Sequence, residues 1–345
     1  MAKKESGCNY SAEIRKLKTS PPERVYLLYG EEDYLREHYY SALKGKCLPE
    51  GENGFSYKRF DGPGLSAEAL SDAVDLMPFL SERTLVELRN IDLNKLADPD
   101  RIIDVLKAVP EYCTVVFIPE TGYEPDGRLK LIKYLKQNAC WLYFAVQDQS
   151  QLTAWIRRRF AALGKEISPD AVQRLVLISG ELMNRLIPEI DKIAAYAPSG
   201  TVTREDVVAV ASHIPEADVF DMVNLISEKK FDAALHLLAE LLRNKDNAPV
   251  AILATLSHQL RRLLGVKLAL QKGKKQKEIK ELFRIQWDNM ADRLILSAGR
   301  FTLPQLKAAL ENCAAAEYQM KTSSADDSEL LKQIIIDLIL GDARG

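Results

Sequence analysis

The segment V-Y-L-L-Y-G-E-E-D-Y-L (residues 25–35) begins like a buried β-strand and continues like a helix, with Gly30 at the turn. ATP-binding proteins have the pattern G-x-x-x-x-G-K-[ST] at such a turn, because glycine N–H groups and a lysine bind the phosphates and a hydroxyl binds magnesium. Here the corresponding positions hold Leu35, Arg36 and Glu37. The turn itself carries three carboxylates that would repel a triphosphate, namely Glu31, Glu32 and Asp33. The segment predicts an NTPase-shaped fold with a degenerate site that binds no nucleotide; alternatively, Gly30 is only a strand-to-helix turn in an unrelated α/β protein.

Length and composition place the chain among ordinary globular proteins. It has 345 residues, of which 47% are hydrophobic and 28% charged, enough for two or three domains. No run of about eighteen uncharged apolar residues occurs, and the N-terminus lacks an apolar signal core, so a cytoplasmic protein is expected. The five cysteines form no C-x-x-C pair and the four histidines stand far apart in sequence. We therefore expect no metal site and no cofactor.

The order of apolar runs predicts an α/β domain followed by helices. Strand-like runs and helical patterns alternate up to residue 147, which predicts a mainly parallel sheet of the P-loop kind, covered on both faces. The predicted strands are 25–29, 55–60, 84–88, 114–118 and 141–146, and the predicted helices are 34–43, 66–76, 99–109 and 129–137. Short, well-capped helices predict a small helical domain over 148–212. Wide apolar stripes predict an all-α bundle over 213–345 that could also form an oligomer interface.

One stretch of the helical region is strongly basic. The chain has a net charge of −2, yet residues 261–284 contain nine Lys or Arg against two Glu, a local charge of +7. Such a cluster can neutralise nucleic-acid phosphates, although a solvated helix-to-helix loop has the same composition. We favour the solvated loop and keep four lysines as candidate DNA contacts, namely Lys272, Lys274, Lys275 and Lys277.

A second stretch carries large apolar residues past the end of a helix. Leu70, Ala73, Val74 and Met77 form one helical stripe, and Pro78 then prevents the helix from continuing without the loss of a hydrogen bond. Phe79 and Leu80 therefore fall at or beyond the helix end, where such side chains can project outward and anchor a partner. Taken alone, a tetrapeptide of this kind in front of a buried strand would more often belong to the core.

The order of these features resembles the delta subunit family of the bacterial DNA polymerase III clamp loader. The resemblance is carried by residues 25–35 and by D-L-M-P-F-L-S-E-R-T-L-V at 75–86, followed by Asn90. It continues through L-T-A-W-I at 152–156, E-I-D-K-I-A at 189–194 and D-V-F-D-M-V-N at 218–224, and through the helical stretches 252–264 and 306–321. It covers nearly the whole chain.

The resemblance implies both a fold and a role. Members of this family keep the AAA-plus shape without hydrolysing ATP, which would make this chain a non-catalytic subunit of the polymerase III holoenzyme in the bacterial cytoplasm. Its partners would be the sliding clamp (beta subunit), the ATPase subunits gamma or tau, delta-prime and, through the complex, primed DNA. The family's clamp-binding element falls on Met77, Pro78, Phe79 and Leu80. Family members often carry leucine where this chain has Pro78.

Two other functions remain open from the residues alone. The chain could be an NTPase with an unusual phosphate site at Gly30, Glu31, Glu32 and Asp33. It could also be a DNA-binding protein that acts through residues 261–284.

Overall fold

The computed structural model describes residues 7–49, 56–78, 81–244, 247–283, 285–323 and 325–343. Contacts divide the chain into two compact units. The first runs to Gln147 and also contains Leu182–Asn184, and the second contains Asp148–Glu181 and the chain from Arg185 onward. The division into three domains at 1–147, 148–212 and 213–345 stays a prediction.

The first unit contains a sheet of five parallel strands in the order β2-β3-β4-β1-β5. The three inner strands are mostly apolar and almost entirely buried, as expected for parallel strands covered on both faces, and Glu87 of β3 is the buried charged residue among them. The prediction of a parallel α/β domain is confirmed. The strands are β1 (Val25–Gly30), β2 (Tyr57–Asp61), β3 (Thr84–Arg89), β4 (Cys113–Ile118) and β5 (Cys140–Phe144).

Five helices accompany this sheet. Apolar faces of α3, α4 and α5 pack on one side of the strands and form the core of the unit with them. The sequence prediction missed α1, and the segment before it lies along the edge strand β5, where the Cys8 N–H donates to the carbonyl of Tyr143 at 2.8 Å. The helices are α1 (Tyr10–Thr19), α2 (Asp33–Cys47), α3 (Ala67–Val74), α4 (Pro99–Ala108) and α5 (Lys130–Asn138).

Parallel strands give the sheet two distinct ends. A loop that leads into a strand lies at the amino end of the sheet, and a loop that follows a strand lies at the carboxyl end. The segment between α3 and β3 is therefore at the amino end. The turn after Gly30 is at the carboxyl end, where open α/β sheets bind their ligands.

The second unit is almost entirely helical, as predicted. It begins with α6 (Gln149–Ala162), α7 (Pro169–Ser179), α8 (Met183–Tyr196) and α9 (Arg204–Val210), together with β6 (Glu166–Ile167) and β7 (Thr201–Val202), a two-residue strand pair that the sequence prediction missed. In the described residues, seven more helices follow around one large apolar core. They are α10 (Pro215–Ser227), α11 (Phe231–Arg243), α12 (Pro249–Gln271), α13 (Gln276–Phe283), α14 (Asp288–Arg300), α15 (Leu303–Thr322) and α16 (Asp327–Ala343). Across the part of the chain described, no helix combines the length and apolarity needed to span a membrane.

Candidate functional site

The helix α3 leads directly to the apolar segment identified in the sequence. The hydroxyl of Ser66 caps its first turn by accepting from the N–H of Ala69 at 3.1 Å. Its buried face contacts the sheet, but the helix ends at Val74, earlier than the apolar stripe suggested. Met77 is therefore not part of that buried face. Its side chain is 77% exposed, the highest value for any large apolar residue that the structure describes.

The four residues Met77, Pro78, Phe79 and Leu80 are called the apolar tip below. Pro78 is half-buried, whereas Phe79 and Leu80 lie outside the described residues. The exposure of Met77 fits an outward-facing tip at the amino end of the sheet. The assignment of clamp binding to these four residues stays a prediction.

Gly30 occupies a position where the backbone conformation and the nearby strand leave no room for a side chain. It pairs with Phe144 across β1 and β5, and its φ of 134° lies in a region that residues with a side chain rarely adopt. A Cβ atom at this position would lie 2.2 Å from the carbonyl oxygen of Phe144. The same oxygen accepts from the N–H of Glu32 at 3.0 Å. Gly30 thus serves the close approach of two strands, whether or not a phosphate is bound.

The three carboxylates after Gly30 all have partners within the first unit. Glu31 accepts from the hydroxyl of Tyr143 at 2.8 Å. Asp33 accepts from Thr121 at 2.7 Å and forms an ion pair with Arg36 at 2.8 Å. These contacts place internal negative charges at the amino end of α2, where a phosphate would bind in an ATPase. The absence of nucleotide binding at this site stays a prediction.

Glu32 is the buried member of this group. Its side chain is 0% exposed, and Oε2 accepts from the backbone N–H of Met183 at 3.3 Å while Oε1 has no hydrogen-bond partner. Burial raises the pKa of Glu32 to about 7. Hydrogen bonds from the N–H groups of Met183 and Tyr34 oppose this rise, and the charge of Asp33 adds to it. A carboxyl group with this pKa is only partly ionised near neutral pH, so a magnesium ion would have to displace its proton in order to bind.

Arg36 occupies the position of the missing phosphate-binding lysine. Its side chain is buried, and it donates to the carbonyl of Pro119 at 3.4 Å in addition to pairing with Asp33. Its guanidinium is also 3.8 Å from the carboxylate of Glu37. The guanidinium of Arg36 therefore makes these contacts with residues of its own domain.

The four candidate DNA-binding lysines lie close together in sequence, and part of their positive charge is neutralised by a neighbouring carboxylate. Lys272, Lys274, Lys275 and Lys277 are exposed on the turn between α12 and α13 and on the first turn of α13. Lys274 pairs with Glu278 at 2.7 Å, and the backbone N–H of Lys275 donates to the same carboxylate at 2.9 Å. The geometry is that of a solvated connection between two helices. Contact with DNA through these lysines stays a prediction.

Sequence reasoning missed a buried polar cluster on β3. The carboxylate of Glu87 is held by the hydroxyls of Tyr40 and Tyr57 and by Arg89, which also binds Glu37 with two hydrogen bonds of 2.9 and 2.7 Å. Burial alone would raise the pKa of Glu87, but these hydrogen bonds hold the pKa below its usual value. The signal was the single Glu inside the apolar strand T-L-V-E-L. Both carboxylate oxygens of Glu87 accept hydrogen bonds, so we assign the cluster a role in stability.

A search of the described ranges for metal ligands gives no group of three His, Cys, Asp or Glu side chains placed to hold an ion. The five cysteines are free thiols, and three of them are buried.

The chain is similar to known proteins over most of its length. The sequence model "DNA polymerase III, delta subunit" matches residues 26–145, and "DNA polymerase III delta subunit, C-terminal domain" matches residues 216–338. DNA polymerase III subunit delta of Bacillus subtilis (strain 168) is 26% identical over 337 residues, which cover 94% of this chain and 95% of that protein. The probable DNA polymerase III subunit delta of Aquifex aeolicus (strain VF5) is 28% identical over 274 residues, 74% of each chain.

A solved structure has the same fold. The Bacillus subtilis DNA clamp loader delta protein superposes with a TM-score of 0.61 at 23% identity, over 96% of this chain and 99% of that one. The parallel sheet of the first unit and the helical C-terminal part, together with the matches to the sequence models, define a subunit of DNA polymerase III. The chain belongs to the DNA polymerase III delta subunit family.

Proposed function

We propose that this delta-family chain binds the sliding clamp through the apolar tip and opens the ring for loading onto primed DNA. The observation that carries the proposal is the exposure of Met77, whose apolar side chain extends into solvent at the end of α3. An exposed apolar anchor at the end of a rigid element is a common core of a protein interface. Because the tip lies at the amino end of the sheet, a clamp can reach it without approaching the altered phosphate loop.

Opening of the ring requires a difference in affinity. A partner shifts a conformational equilibrium only as far as it binds one state better than the other. The tip must therefore bind the surface of the open clamp better than that of the closed clamp. ATP bound by neighbouring subunits would expose the tip, and hydrolysis after DNA entry would withdraw it. This chain then contributes binding and no covalent chemistry.

The partners follow from the same proposal. The gamma or tau subunits supply ATP hydrolysis, and delta-prime completes the hetero-oligomer. Residues 213–345 act as the collar, because their helices form one large core and still leave apolar side chains such as Leu282 and Leu296 in solvent. The complex would work in the cytoplasm.

Phe79→Asp is expected to weaken binding of the isolated chain to purified sliding clamp by about 2 kcal/mol, or about 30-fold, because the change places a charge in an apolar pocket. Isothermal titration calorimetry against the clamp measures this loss. Leu282→Asp provides a control, since it also replaces an apolar residue with Asp, at an exposed position on α13 outside the apolar tip.

Two results would contradict the proposal. If wild-type chain fails to bind the clamp, the function is wrong. If Phe79→Asp binds as tightly as wild type, the clamp-binding surface lies elsewhere.

The isolated chain is expected to hydrolyse no ATP, because the carboxylates of Glu31 and Asp33 and the buried Glu32 close the site. Phosphate release should therefore be the same for wild type and for the double variant Glu31→Ala, Asp33→Ala. Turnover by wild type that disappears in the double variant would instead identify an NTPase.

A further inference from the structure

The apolar tip lies in sequence between two residues that are held by backbone hydrogen bonds. On its amino side, α3 closes at Asp75, whose N–H donates to the carbonyl of Ser71 at 2.9 Å, and the hydroxyl of Ser71 donates to the Asp75 carboxylate at 3.4 Å. On its carboxyl side, β3 begins at Thr84, whose N–H donates to the carbonyl of Tyr112 at 2.8 Å. Residues 76–83 bridge these two residues. Among the described residues of this bridge, Ser81 and Arg83 have side chains hydrogen-bonded to Ser56 and Thr114.

One side chain of the bridge is tied to a distant part of the sheet. The hydroxyl oxygen of Ser81 lies 2.5 Å from that of Ser56, 25 residues earlier in the chain. Ser81 also donates to the carbonyl of Arg83 at 3.0 Å. Because each hydroxyl has one proton, Ser56 must then donate to Ser81, and the three groups form a directed chain.

Ser56 is a rigid partner for this contact. It is buried next to the start of β2, and its carbonyl accepts from the N–H of Leu85 on β3 at 2.8 Å. Ser81 is thereby connected to two adjacent strands of the sheet. Two residues further on, Arg83 donates to the hydroxyl of Thr114 on β4 at 3.3 Å, which fixes the same stretch to a third strand.

We infer that Ser81, held by Ser56, is a positioning residue for clamp binding. This inference rests on the proposed function of the apolar tip. Ser81 directly follows the tip in sequence, so its hydrogen bonds fix the chain at Ser81 before the clamp arrives. A segment that is ordered in advance loses less conformational entropy on binding, which increases affinity without a new contact to the partner.

The test compares serine variants at matched positions. Ser81→Ala is expected to weaken clamp binding about fivefold, as is Ser56→Ala, and the double variant should lose no more than either single one because both remove the same hydrogen bond. Ser81→Thr keeps the hydroxyl and should restore affinity to within about twofold of wild type. Calorimetry or surface plasmon resonance with purified clamp measures these values.

Ser66→Ala separates positioning from general stability. Ser66 caps the same α3 through the N–H of Ala69, so its loss destabilises the helix without touching the bridge after it. We expect Ser66→Ala to lower the melting temperature and leave clamp affinity unchanged. Equal loss of affinity in Ser66→Ala and Ser81→Ala, or wild-type affinity in Ser81→Ala, would overturn the inference.

The two proposals fail in different ways. If Phe79→Asp loses binding while Ser81→Ala does not, only the positioning role is wrong. If Phe79→Asp binds like wild type, the proposed function is wrong and the positioning role falls with it.

Discussion

Gly30→Ala is expected to lower the free energy of unfolding of the first unit by about 4 kcal/mol. A side chain at a φ of 134° carries strain of about 1–3 kcal/mol. The new Cβ would also lie 2.2 Å from the carbonyl oxygen of Phe144, which belongs to the backbone of β5 and cannot move alone. Overpacking of this kind costs a further 1–3 kcal/mol or so.

Fluorine NMR of 5-fluorotryptophan-labelled protein can follow this loss during urea denaturation. Trp141 on β5 is the single tryptophan among residues 1–147, so its signal reports on the first unit. Gly45→Ala is the matched control, because Gly45 is exposed on α2 and a Cβ there would meet no atom within 4 Å. We expect that control to gain about 0.5–1 kcal/mol. Equal stability of the two variants would show that the close approach of β1 and β5 is not needed.

The free energy of unfolding of the first unit is expected to fall by about 3 kcal/mol as the pH rises from about 4.5 to 7. This change is the contribution of Glu32 alone. In the folded protein its pKa is raised from 4.5 to about 7. Below pH 4.5 the carboxyl is protonated in both the folded and the unfolded state, so burial has no electrostatic cost. Between these values the unfolded chain loses the proton while the folded chain retains it, which favours unfolding. Above pH 7 the full cost of a buried charge is present.

Glu32→Gln should remove this dependence. Glutamine resembles the protonated carboxyl, so the variant is expected to match wild type near pH 4.5 and to exceed it by about 3 kcal/mol at pH 8. The Trp141 signal in urea titrations at several pH values measures the difference. Glu82→Gln, at an exposed position, controls for the loss of one carboxylate. A constant difference between wild type and Glu32→Gln at all pH values would mean that Glu32 is ionised in the folded protein.

Much of the fold could be predicted because its elements are regular. The strands β1 and β4 are nearly continuous apolar runs and β3 is one apart from Thr84, Glu87 and Arg89, which is the pattern of a parallel sheet covered on both faces. The helix α1 was missed because it buries only Leu17 and so presents no apolar stripe. The strands β6 and β7 were missed because two residues are too few to show a period.

The candidate site was harder to predict. The substitutions that remove the phosphate loop are local and can be read directly at Leu35, Arg36 and Glu37. The exposure of Met77 could not be predicted, because Met77 continues the apolar stripe of α3 in sequence while the helix ends at Val74. The contact between Ser56 and Ser81 joins two residues that precede different strands and leaves no periodic signal in the sequence.

The two ends of the sheet have a practical consequence for protein engineering. A strand of six residues such as β1 extends about 20 Å, so the turn after Gly30 and the segment before β3 lie at opposite ends of the sheet, separated by about the length of a strand. An engineer could therefore try to rebuild a working phosphate loop at one end and keep the apolar tip, the proposed clamp-binding element, at the other. Such a hybrid would test whether ATP hydrolysis and the proposed binding of the sliding clamp can be combined in one polypeptide.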